Sequence, residues 1–335
     1  MILILTDDSD PHADLVERKL RERGAELFRI DPKKFPSSAE LSVAYSSTGK
    51  LRCALSMGTD QIDFSRVQSV WYRRPNACVA DPAITDKLTR NYIEEECRFF
   101  TNDIWNMVEC LWVPAPPPVI AKAALKALQL NRAASLGFEL PPTLFTNSPK
   151  EFLDFYREHN GNIVSKLLSP ALGKFTGATF NRYTHVVTKR DVAYWRSIRF
   201  CPVIFQAYVP KRIELRITVV GREVFAAEIH SQHSNHTRYD WRRYDQYETP
   251  HFPHDLPEDL RQRCVQLVES LGLCYGAIDM VLTPDDRYVF LEVNPNGQYL
   301  WIEELTGLPI SDAICDVLIS GTSAVKPHQR SRASV

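Results

Sequence analysis

The sequence predicts a mixed α/β (α+β) protein with more than one domain, and three observations support that prediction. Residues 2–6, 12–23 and 27–30 are predicted to form a strand, a helix and a strand, an order typical of an α/β layer. The proline-rich run at 113–118 cannot continue a helix and therefore marks a domain boundary. A length of 335 residues suits two or three domains.

Composition limits the class of protein. Hydrophobic residues make up 44% of the chain and charged residues 24%, which predicts a large core and excludes disorder for most of its length. A net charge of -1 disfavours a globally basic nucleic-acid binder. No run approaches the roughly 18 apolar residues of a membrane helix. We therefore expect neither a nucleic-acid partner nor a membrane partner. The eight cysteines contain no CxxC pair, so we expect reduced thiols in a cytoplasmic protein.

Hydrophobic periodicity and chain breakers predict the remaining elements. Strands are expected where β-branched and aromatic residues cluster, and helices where apolar residues recur at helical spacing. Gly24 and Gly137 are expected to end helices, and Ser148 to cap one. The further predicted strands are 51–56, 69–72, 162–168, 203–208, 214–220, 224–229, 277–282 and 288–293. The further predicted helices are 86–112, 121–136, 149–158, 190–199, 255–272 and 310–319.

The last predicted hairpin carries a cluster of oxygen-bearing side chains. Strand side chains alternate between faces, so Glu292 and Asn294 share one face. A connecting loop of even length, such as 283–286, would put Asp279 on the same face. Two carboxylates and an amide suit Mg²⁺ and leave room for nucleotide phosphates. Solvated acids at a hairpin end are the alternative, which the apolar neighbours disfavour because unpaired acids beside a core are costly.

Basic and polar residues in the middle of the chain suggest a phosphorylated ligand. Lys166 within IVSKLL could equally bind an anion or snorkel from an edge strand. Lys126, taken alone, is more typical of a solvated helix face than of an anion site. Glycines at 169–177 could let backbone amides cover a phosphate, although neither GxxxxGK[ST] nor GxGxxG occurs. The strand edge of VIFQAYV could read an adenine. Glu214 and Arg216 could bind ribose and an anionic group, or form surface ion pairs.

These pieces occur in an order that resembles the ATP-grasp superfamily over roughly residues 119–320. The segments WYRRP at 71–75 and DWR at 240–242 more narrowly resemble the microviridin-type graspetide ligases, which close ω-ester or ω-amide rings in ribosomally made precursor peptides. The resemblance implies an ATP-grasp fold with an N-terminal α/β pre-grasp domain. The implied domains are a pre-grasp domain at 1–118, a central subdomain at 119–200, a C-terminal subdomain at 201–321 and a disordered tail at 322–335.

The resemblance also implies ligands and roles for individual residues. The implied cofactors are ATP and two Mg²⁺ ions, the latter held by Asp279, Glu292 and Asn294 with Glu292 bridging them. Arg216 would face the γ-phosphate and the acyl group, and Arg242 would grip the substrate carboxylate. The other implied nucleotide contacts are Lys126 and Lys166 on the phosphates, Lys166 also near the adenine, Glu214 on the ribose, and Gln206, Ala207, Tyr208 and Val209 around the adenine.

Arg73 and Arg74 are further candidates for the substrate carboxylate, or they could be ion-paired at the domain interface. His230, His233 and His236 recur every third residue, a spacing that neither a strand nor an α-helix converges on one ion, so we expect loop histidines rather than zinc ligands. The Arg- and aromatic-rich stretch at 239–247 could be a nucleic-acid platform or a peptide-facing loop, and the near-zero net charge favours the loop.

Three functional hypotheses follow. The first is an ATP-dependent macrocyclase that acts on a ribosomal precursor peptide with leader and core segments. The resemblance implies that this enzyme is a homodimer. The second is a ligase that adds free amino acids to a protein or peptide tail, which the segments at 71–75 and 240–242 disfavour. The third is a non-catalytic ATP-binding module, which a complete set of predicted metal ligands disfavours.

Overall fold

The N-terminal part of the chain builds a parallel sheet with a small antiparallel sheet beside it. The computed structural model describes residues 1–168, 184–231 and 249–322. The elements of this part are, in chain order, β1 (Ile2–Thr6), α1 (Pro11–Glu22), β2 (Leu27–Ile30), β3 (Glu40–Tyr45), β4 (Leu51–Met57), β5 (Asp60–Asp63), β6 (Ser69–Arg74), α2 (Lys87–Met107) and β7 (Leu111–Val113). The parallel sheet has the order β2-β1-β6-β7, and the antiparallel sheet has the order β3-β4-β5.

The parallel sheet places the ends of β1 and β6 side by side. Thr6 pairs with Arg74, and β2 lies on the opposite side of β1. Open α/β sheets offer a crevice at the carboxyl ends of the strands where the strand order reverses. Asp10, the N-cap of α1, lies at this point and faces Arg73.

The rest of the chain builds two antiparallel sheets. The elements of the middle part are α3 (Pro117–Ala123), α4 (Lys126–Ser135), β8 (Thr143–Thr146), α5 (Pro149–Glu158), β9 (Ile163–Lys166), β10 (His185–Val186), α6 (Lys189–Val192) and β11 (Val203–Ala207). Those that follow are β12 (Ile213–Val220), β13 (Glu223–Ile229), β14 (His251–Pro253), α7 (Glu258–Ser270), β15 (Tyr275–Leu282), β16 (Tyr288–Asn294), α8 (Leu300–Thr306) and α9 (Ile310–Ser320). The sheet orders are β10-β9-β11-β8 and β14-β13-β12-β15-β16.

The C-terminal sheet uses its two faces differently. Leu215 and Ile217 of β12 lie in the core that includes the apolar face of α7. Alternation along β12 sends Glu214, Arg216 and Thr218 to the other face. These polar residues are buried as well, and on that face Glu214 pairs with Lys211 and Arg216 with Asp279.

A single core joins the parallel sheet to the C-terminal sheet. Residues of β1, α1 and β6 pack in one cluster with residues of β13, β15, α8 and α9. Lys19 of α1 and Arg23, the C-cap of that helix, also pair with Asp312 of α9, at 3.1 and 2.5 Å. This shared core fixes the crevice at β1 and β6 against the polar face of the C-terminal sheet.

Two predicted helices were wrong in extent. The helix predicted at 86–112 ends at Met107, and Leu111–Val113 instead pairs in parallel with β6. A short apolar run suits a buried helix end as well as a strand, so pattern alone did not separate them. The helix predicted at 121–136 is split into α3 and α4 by the extended backbone of Leu125 (φ -70°, ψ 109°). The proline run does not continue α2, and its Pro117 lies in the first turn of α3, where proline is well tolerated.

Smaller differences concern other parts of the chain. The helix predicted at 190–199 is the short α6 followed by a 3₁₀ turn at Trp195–Phe200. Short elements that periodicity did not predict are β3, β5, β7, β14 and α8. The disordered tail was predicted at 322–335, and all of it after Thr322 lies outside the described residues.

All eight cysteines lie within the described residues and are free thiols, as predicted. Burial raises the pKa of the Cys264 and Cys274 thiols to about 12. Across residues 1–168, 184–231 and 249–322, no helix has the length and apolarity needed to cross a membrane.

Two neighbouring residues of α9 test the shared core. Leu318 is fully buried, whereas Ile319 is 38% exposed. Leu318→Ala should lower the free energy of unfolding by about 2–5 kcal/mol because it leaves a cavity between the two sheets. Ile319→Ala is the matched control and should change it by no more than about 0.5 kcal/mol. Urea denaturation followed by circular dichroism measures both, and equal effects would contradict the assignment of this core.

Candidate functional site

Two carboxylates face each other on β15 and β16. Asp279 pairs directly with Glu292, and Asn294 lies further along the same strand. The connecting loop at 283–287 has an odd length, so the even loop expected from the sequence was wrong. A β-bulge restores the alignment: Met280 pairs with Phe290 while Asp279 pairs with Glu292, which leaves Leu291 as the extra residue. Without this bulge Leu291 would stand opposite Asp279.

Each carboxylate has a cationic partner. Arg216 on the neighbouring strand β12 donates from Nη1 to Asp279 Oδ1 at 2.7 Å. The ammonium group of Lys126 contacts Glu292 Oε2. Asn294 donates from Nδ2 to Asp279 Oδ2 at 2.9 Å. Like charges directly opposite one another in a sheet repel, and these partners offset that repulsion.

The break between α3 and α4 determines where Lys126 lies. It is the first residue of α4, so its side chain leaves the helix start toward β16. Gln129, one turn later, fixes this placement. Its Nε2 donates to the carbonyls of Val293 and Ala123, both at 2.7 Å, and its Oε1 accepts from the Val293 amide at 3.1 Å. The side chain therefore serves as the missing neighbour of the edge strand β16.

The residues after Asn294, which we call the exit loop (295–299), press against Arg216. Arg216 donates from Nη2 to the Gln298 carbonyl at 3.0 Å, so both terminal nitrogens of its guanidinium are anchored. Tyr275 donates its hydroxyl to the Gly297 carbonyl at 2.6 Å. A Cβ at Gly297 would lie 2.7 Å from Arg216 Nη2 and 2.5 Å from the Cβ of Ala277. Only glycine therefore allows this close approach.

Glu214 lies two residues before Arg216 on the same face of β12. Its Oε1 accepts from Lys211 Nζ at 2.7 Å and from Ser231 Oγ at 2.6 Å. The residue is only 7% exposed, so its charge is compensated within the protein. Lys211 and Ser231 are contacts that the sequence analysis did not predict.

The central sheet carries the remaining described candidates. Lys166 pairs with Ile204, and alternation puts Lys166 and Gln206 on one face, opposite the face that buries Phe205. Gln206 is buried and donates to Thr143 Oγ1 at 2.9 Å. These contacts fix the strand that leads into residues 208 and 209.

The predicted adenine-reading edge was wrong for β11 itself. The strand lies between β8 and β9, so both of its edges are paired. The amides of Ala207 and Tyr208 also donate, to the carbonyls of Pro142 and Asn162, both at 2.9 Å. The backbone that could read a base therefore begins after β11, at Val209, rather than within the strand.

Arg73 and Arg74 approach the same site from the N-terminal sheet. Arg73 is only 2% exposed, and its Nη1 lies 3.3 Å from the Asn296 carbonyl. Arg74 is exposed and donates to the same carbonyl at 3.4 Å. Partial burial and the charges of Arg73 and Arg216 lower the pKa of Arg74 from its ordinary value. An anion beside Arg74 would offset this crowding of positive charge.

Several predicted features lie outside the described residues. These are Arg242, His233, His236, the glycine-containing loop at 169–177 and the aromatic stretch at 239–247. His230 is described, and its Nε2 lies 2.8 Å from Glu228 Oε2. Its backbone amide donates to the Pro250 carbonyl at 3.1 Å and its ring contacts Phe252, which places it beside β14. It lies on the face of β13 opposite that of the acidic pair, since Glu228 pairs with Leu215.

The donor set at Asp279 and Glu292 fits a hard divalent cation. Their side chains are 17% and 18% exposed, so solvent ions can reach them. Within the described residues no three His, Cys, Asp or Glu side chains could hold a metal. The side chain of Asn294, which contacts Asp279, offers an amide oxygen as a further candidate ligand. Carboxylate and amide oxygens without nitrogen or sulfur are the ligands of Mg²⁺ rather than Zn²⁺.

Sequence reasoning missed the residues that hold these groups in place. They are Gln129, Lys211, Ser231, Tyr275 and Asn296. The first carried a usable signal, because a glutamine on the buried face of an amphipathic helix needs a polar partner. Ser231, Tyr275 and Asn296 act through contacts between distant segments, which no local pattern indicates. Lys211 contacts Glu214 only three residues away.

Known proteins resemble the chain along almost its whole length. Residues 1–116 match the family model described as the MvdD pre-ATP grasp domain. Macrocyclase MdnC from Microcystis aeruginosa MRC, solved with precursor peptide MdnA, is 34% identical with a TM-score of 0.84 over 96% of this chain and 99% of that chain. Macrocyclase MdnB from the same organism is 34% identical with a TM-score of 0.77 over 96% and 99%.

A third solved structure supports the same comparison. A Chryseobacterium gregarium RiPP-associated ATP-grasp ligase, in complex with ADP and a leader and core peptide, is 30% identical. It has a TM-score of 0.88 and covers 95% of this chain and 96% of that chain. No curated protein sequence matches the chain.

Gln129 provides a test of how the site is held. Gln129→Leu should lower the free energy of unfolding by about 2–4 kcal/mol, because the buried amide and carbonyl of Val293 lose their partner. Amide hydrogen exchange at Val293 should accelerate in the same variant. Asn131→Ala, at an exposed position of the same helix, is the control and should alter neither quantity. Unchanged protection of the Val293 amide in Gln129→Leu would contradict the role of the side chain.

Proposed function

The chain belongs to the RiPP-associated ATP-grasp ligases, and we propose that it uses ATP to activate side-chain carboxylates of a ribosomal precursor peptide and closes ester or amide rings. Family membership rests on relatives 30% and 34% identical that the chain covers almost entirely. The predicted ATP-grasp fold with an N-terminal pre-grasp domain is confirmed by the same comparisons. The observation that carries the proposal is the facing pair Asp279 and Glu292 beside Lys126 and Arg216.

The chemistry needs two steps because hydroxide is a poor leaving group from a carboxylate. In the first step a peptide Asp or Glu oxygen bonds to the γ-phosphorus of ATP, the bond from that phosphorus to the β–γ bridging oxygen breaks, and ADP leaves. In the second step a Ser or Thr hydroxyl or a Lys amine bonds to the acyl carbon. The bond from that carbon to the phosphate oxygen breaks, inorganic phosphate departs, and the proton of the nucleophile passes to phosphate or solvent.

The protein's part in these steps is to position the groups and to neutralise charge. Lys126 at the start of α4 and Lys166 at the end of β9 would bind phosphates. Glu214 would accept from the ribose hydroxyls, with Lys211 and Ser231 holding its carboxylate in place. Tyr208 and Val209, together with Gln206 and Ala207, would border the adenine.

Arg216 is the residue best placed to orient the reacting carboxylate. Its guanidinium is anchored by Asp279 and by the Gln298 carbonyl, so it presents a rigid cation next to the acidic pair. Rigid, preorganised charge costs no reorganisation at the moment of reaction. Arg74 would attract the acidic side chain from the N-terminal side, while Arg73 is buried and supports Asn296. Arg242 remains a proposed substrate contact.

Asp279, Glu292 and Asn294 would hold Mg²⁺, and we propose two ions with Glu292 shared between them. The ions would supply neutralisation of the phosphate charge. ADP occurs in the complex of the Chryseobacterium gregarium relative. The relatives' complexes with precursor, leader or core peptides support a peptide substrate with leader and core for this chain.

Replacement of Glu292 tests the proposal. Glu292→Gln should reduce ring formation by at least about 100-fold, because the amide keeps the shape but loses the charge that binds the cation. The readout is the mass of a candidate precursor incubated with enzyme, ATP and Mg²⁺, which falls by one water per ring. Glu269→Gln, an exposed surface substitution, is the control and should leave the rate unchanged. Circular dichroism and thermal unfolding establish that both variants fold.

The same assay separates the competing functions. Water loss by wild-type enzyme that persists undiminished in folded Glu292→Gln would refute the proposed site. A mass gain that requires free glutamate would instead indicate a ligase that extends a peptide tail. Failure of the wild-type enzyme to release ADP with any peptide would leave only nucleotide binding.

We also propose that the enzyme is a homodimer. Leu88, Tyr92 and Phe99 recur at helical spacing on one side of α2 and are 78%, 66% and 56% exposed. A stripe of large apolar residues on a surface helix favours burial against a partner. Tyr92→Arg should therefore shift the sedimentation coefficient from dimer to monomer, whereas Tyr194→Arg, which replaces an equally exposed aromatic elsewhere, should not. A wild-type chain that sediments as a monomer at micromolar concentration would contradict the proposal.

A further inference from the structure

The end of the exit loop is held by a histidine from the N-terminal part of the chain. His12 Nε2 accepts from the backbone amides of Tyr299 and Leu300, at 3.4 and 3.2 Å. These amides belong to the start of α8 and would otherwise be unsatisfied. The His12 ring also packs edge-on against Tyr299, with ring centroids 5.0 Å apart. His12 thereby ties α1 to the segment that leaves the acidic site.

The second ring nitrogen defines the tautomer. Because Nε2 accepts two hydrogen bonds, the proton of the neutral ring resides on Nδ1, which lies 3.1 Å from Asp10 Oδ1. The other oxygen of Asp10 accepts from Thr6 Oγ1 at 2.8 Å and lies 3.7 Å from Arg73 Nε. Burial alone would raise the pKa of Asp10, but the hydrogen bond from His12 and the charge of Arg73 hold it well below its usual range.

We propose that His12 is a positioning residue for Arg216, acting as a neutral acceptor that fixes the exit loop through the amides of Tyr299 and Leu300. The Gln298 carbonyl, which anchors Arg216 Nη2, immediately precedes those amides. A loop released at Leu300 would let this carbonyl move and would loosen the guanidinium. The inference rests on the proposed function of the site, since Arg216 is taken to orient the reacting carboxylate.

Protonation would remove this anchor. A proton on Nε2 would point at two N–H donors, so the imidazolium cannot keep either hydrogen bond. The charged groups that face the ring are Asp10 at the start of α1 and Arg73 and Arg74 at the end of β6, and Tyr299 packs on it from before α8. Burial and the two arginines lower the pKa of His12 below its ordinary value of 6.5, against the opposing effect of Asp10.

The sign of the pH effect follows. A histidine with a lowered pKa in the folded protein favours folding above its ordinary pKa, and this contribution is lost as the pH falls below 6.5 toward the folded value. The anchored exit loop is therefore present at neutral pH and released at acid pH. An acid limb in kcat that depends on residue 12 is the expected signature.

Two substitutions separate the acceptor from the ring. His12→Phe keeps an aromatic ring but no acceptor, and it should lower kcat for peptide-dependent ADP release about 10-fold while KM for ATP changes less than about 3-fold. His12→Gln places an amide oxygen near the position of Nε2 and does not titrate. It should restore kcat to within about 3-fold of wild type and flatten the acid limb below pH about 6.5.

A spectroscopic readout is independent of turnover. Long-range ¹H–¹⁵N correlation of the His12 ring in the ligand-free protein should show the Nδ1–H tautomer at neutral pH. The inference is overturned by an Nε2–H tautomer, by wild-type kcat in folded His12→Phe, or by an acid limb that His12→Gln retains. If the wild type forms rings and His12→Phe does so at full rate, only this inference fails. If the wild type forms no rings, the proposed function fails while the tautomer test still stands.

Discussion

The repulsion between two carboxylates that face each other across β15 and β16 is the constraint on which the rest of the site depends. Asp279 and Glu292 are direct neighbours, and each is balanced by a cation from another element, Arg216 or Lys126. Two neighbouring carboxylates without counter-charges would destabilise the folded protein. The same negative charge attracts divalent ions. The same interaction therefore links local strand register to the capacity to neutralise the phosphates of ATP.

The N-terminal part of the chain contributes to this site as well as to stability. Its first helix and first strand share a core with α8 and α9. Tyr72 accepts from Asn296 through its carbonyl at 2.9 Å, and Arg73 donates back to Asn296. The exit loop is thus held between two sheets that lie far apart in sequence. This arrangement gives a physical reason for a pre-grasp domain to accompany the ligase domains, because Tyr72, Arg73 and His12 of the N-terminal part all bond to the loop beside Arg216.

Local sequence patterns were enough to predict part of the fold and part of the candidate site. Strand alternation placed Glu292 and Asn294 on one face, and Ser148 was identified as a helix cap that accepts from Glu151 at 3.3 Å. The bulge at Leu291 was not predictable, because its position depends on which partner residues pair across the hairpin. The ends of α2 and the paired edges of β11 were missed for a related reason: tertiary pairing with β6, β8 and β9 decided them.

The central claim is that Asp279, Glu292 and Asn294 together bind divalent cations beside a nucleotide. Crystals grown with a non-hydrolysable ATP analogue and Mn²⁺, which scatters anomalously, would test it most directly. The account predicts anomalous peaks within about 2.0–2.3 Å of oxygen atoms from all three side chains, at distances typical of hard cations on oxygen ligands. Nucleotide density without a metal peak at these residues, or metal bound only elsewhere on the chain, would contradict it.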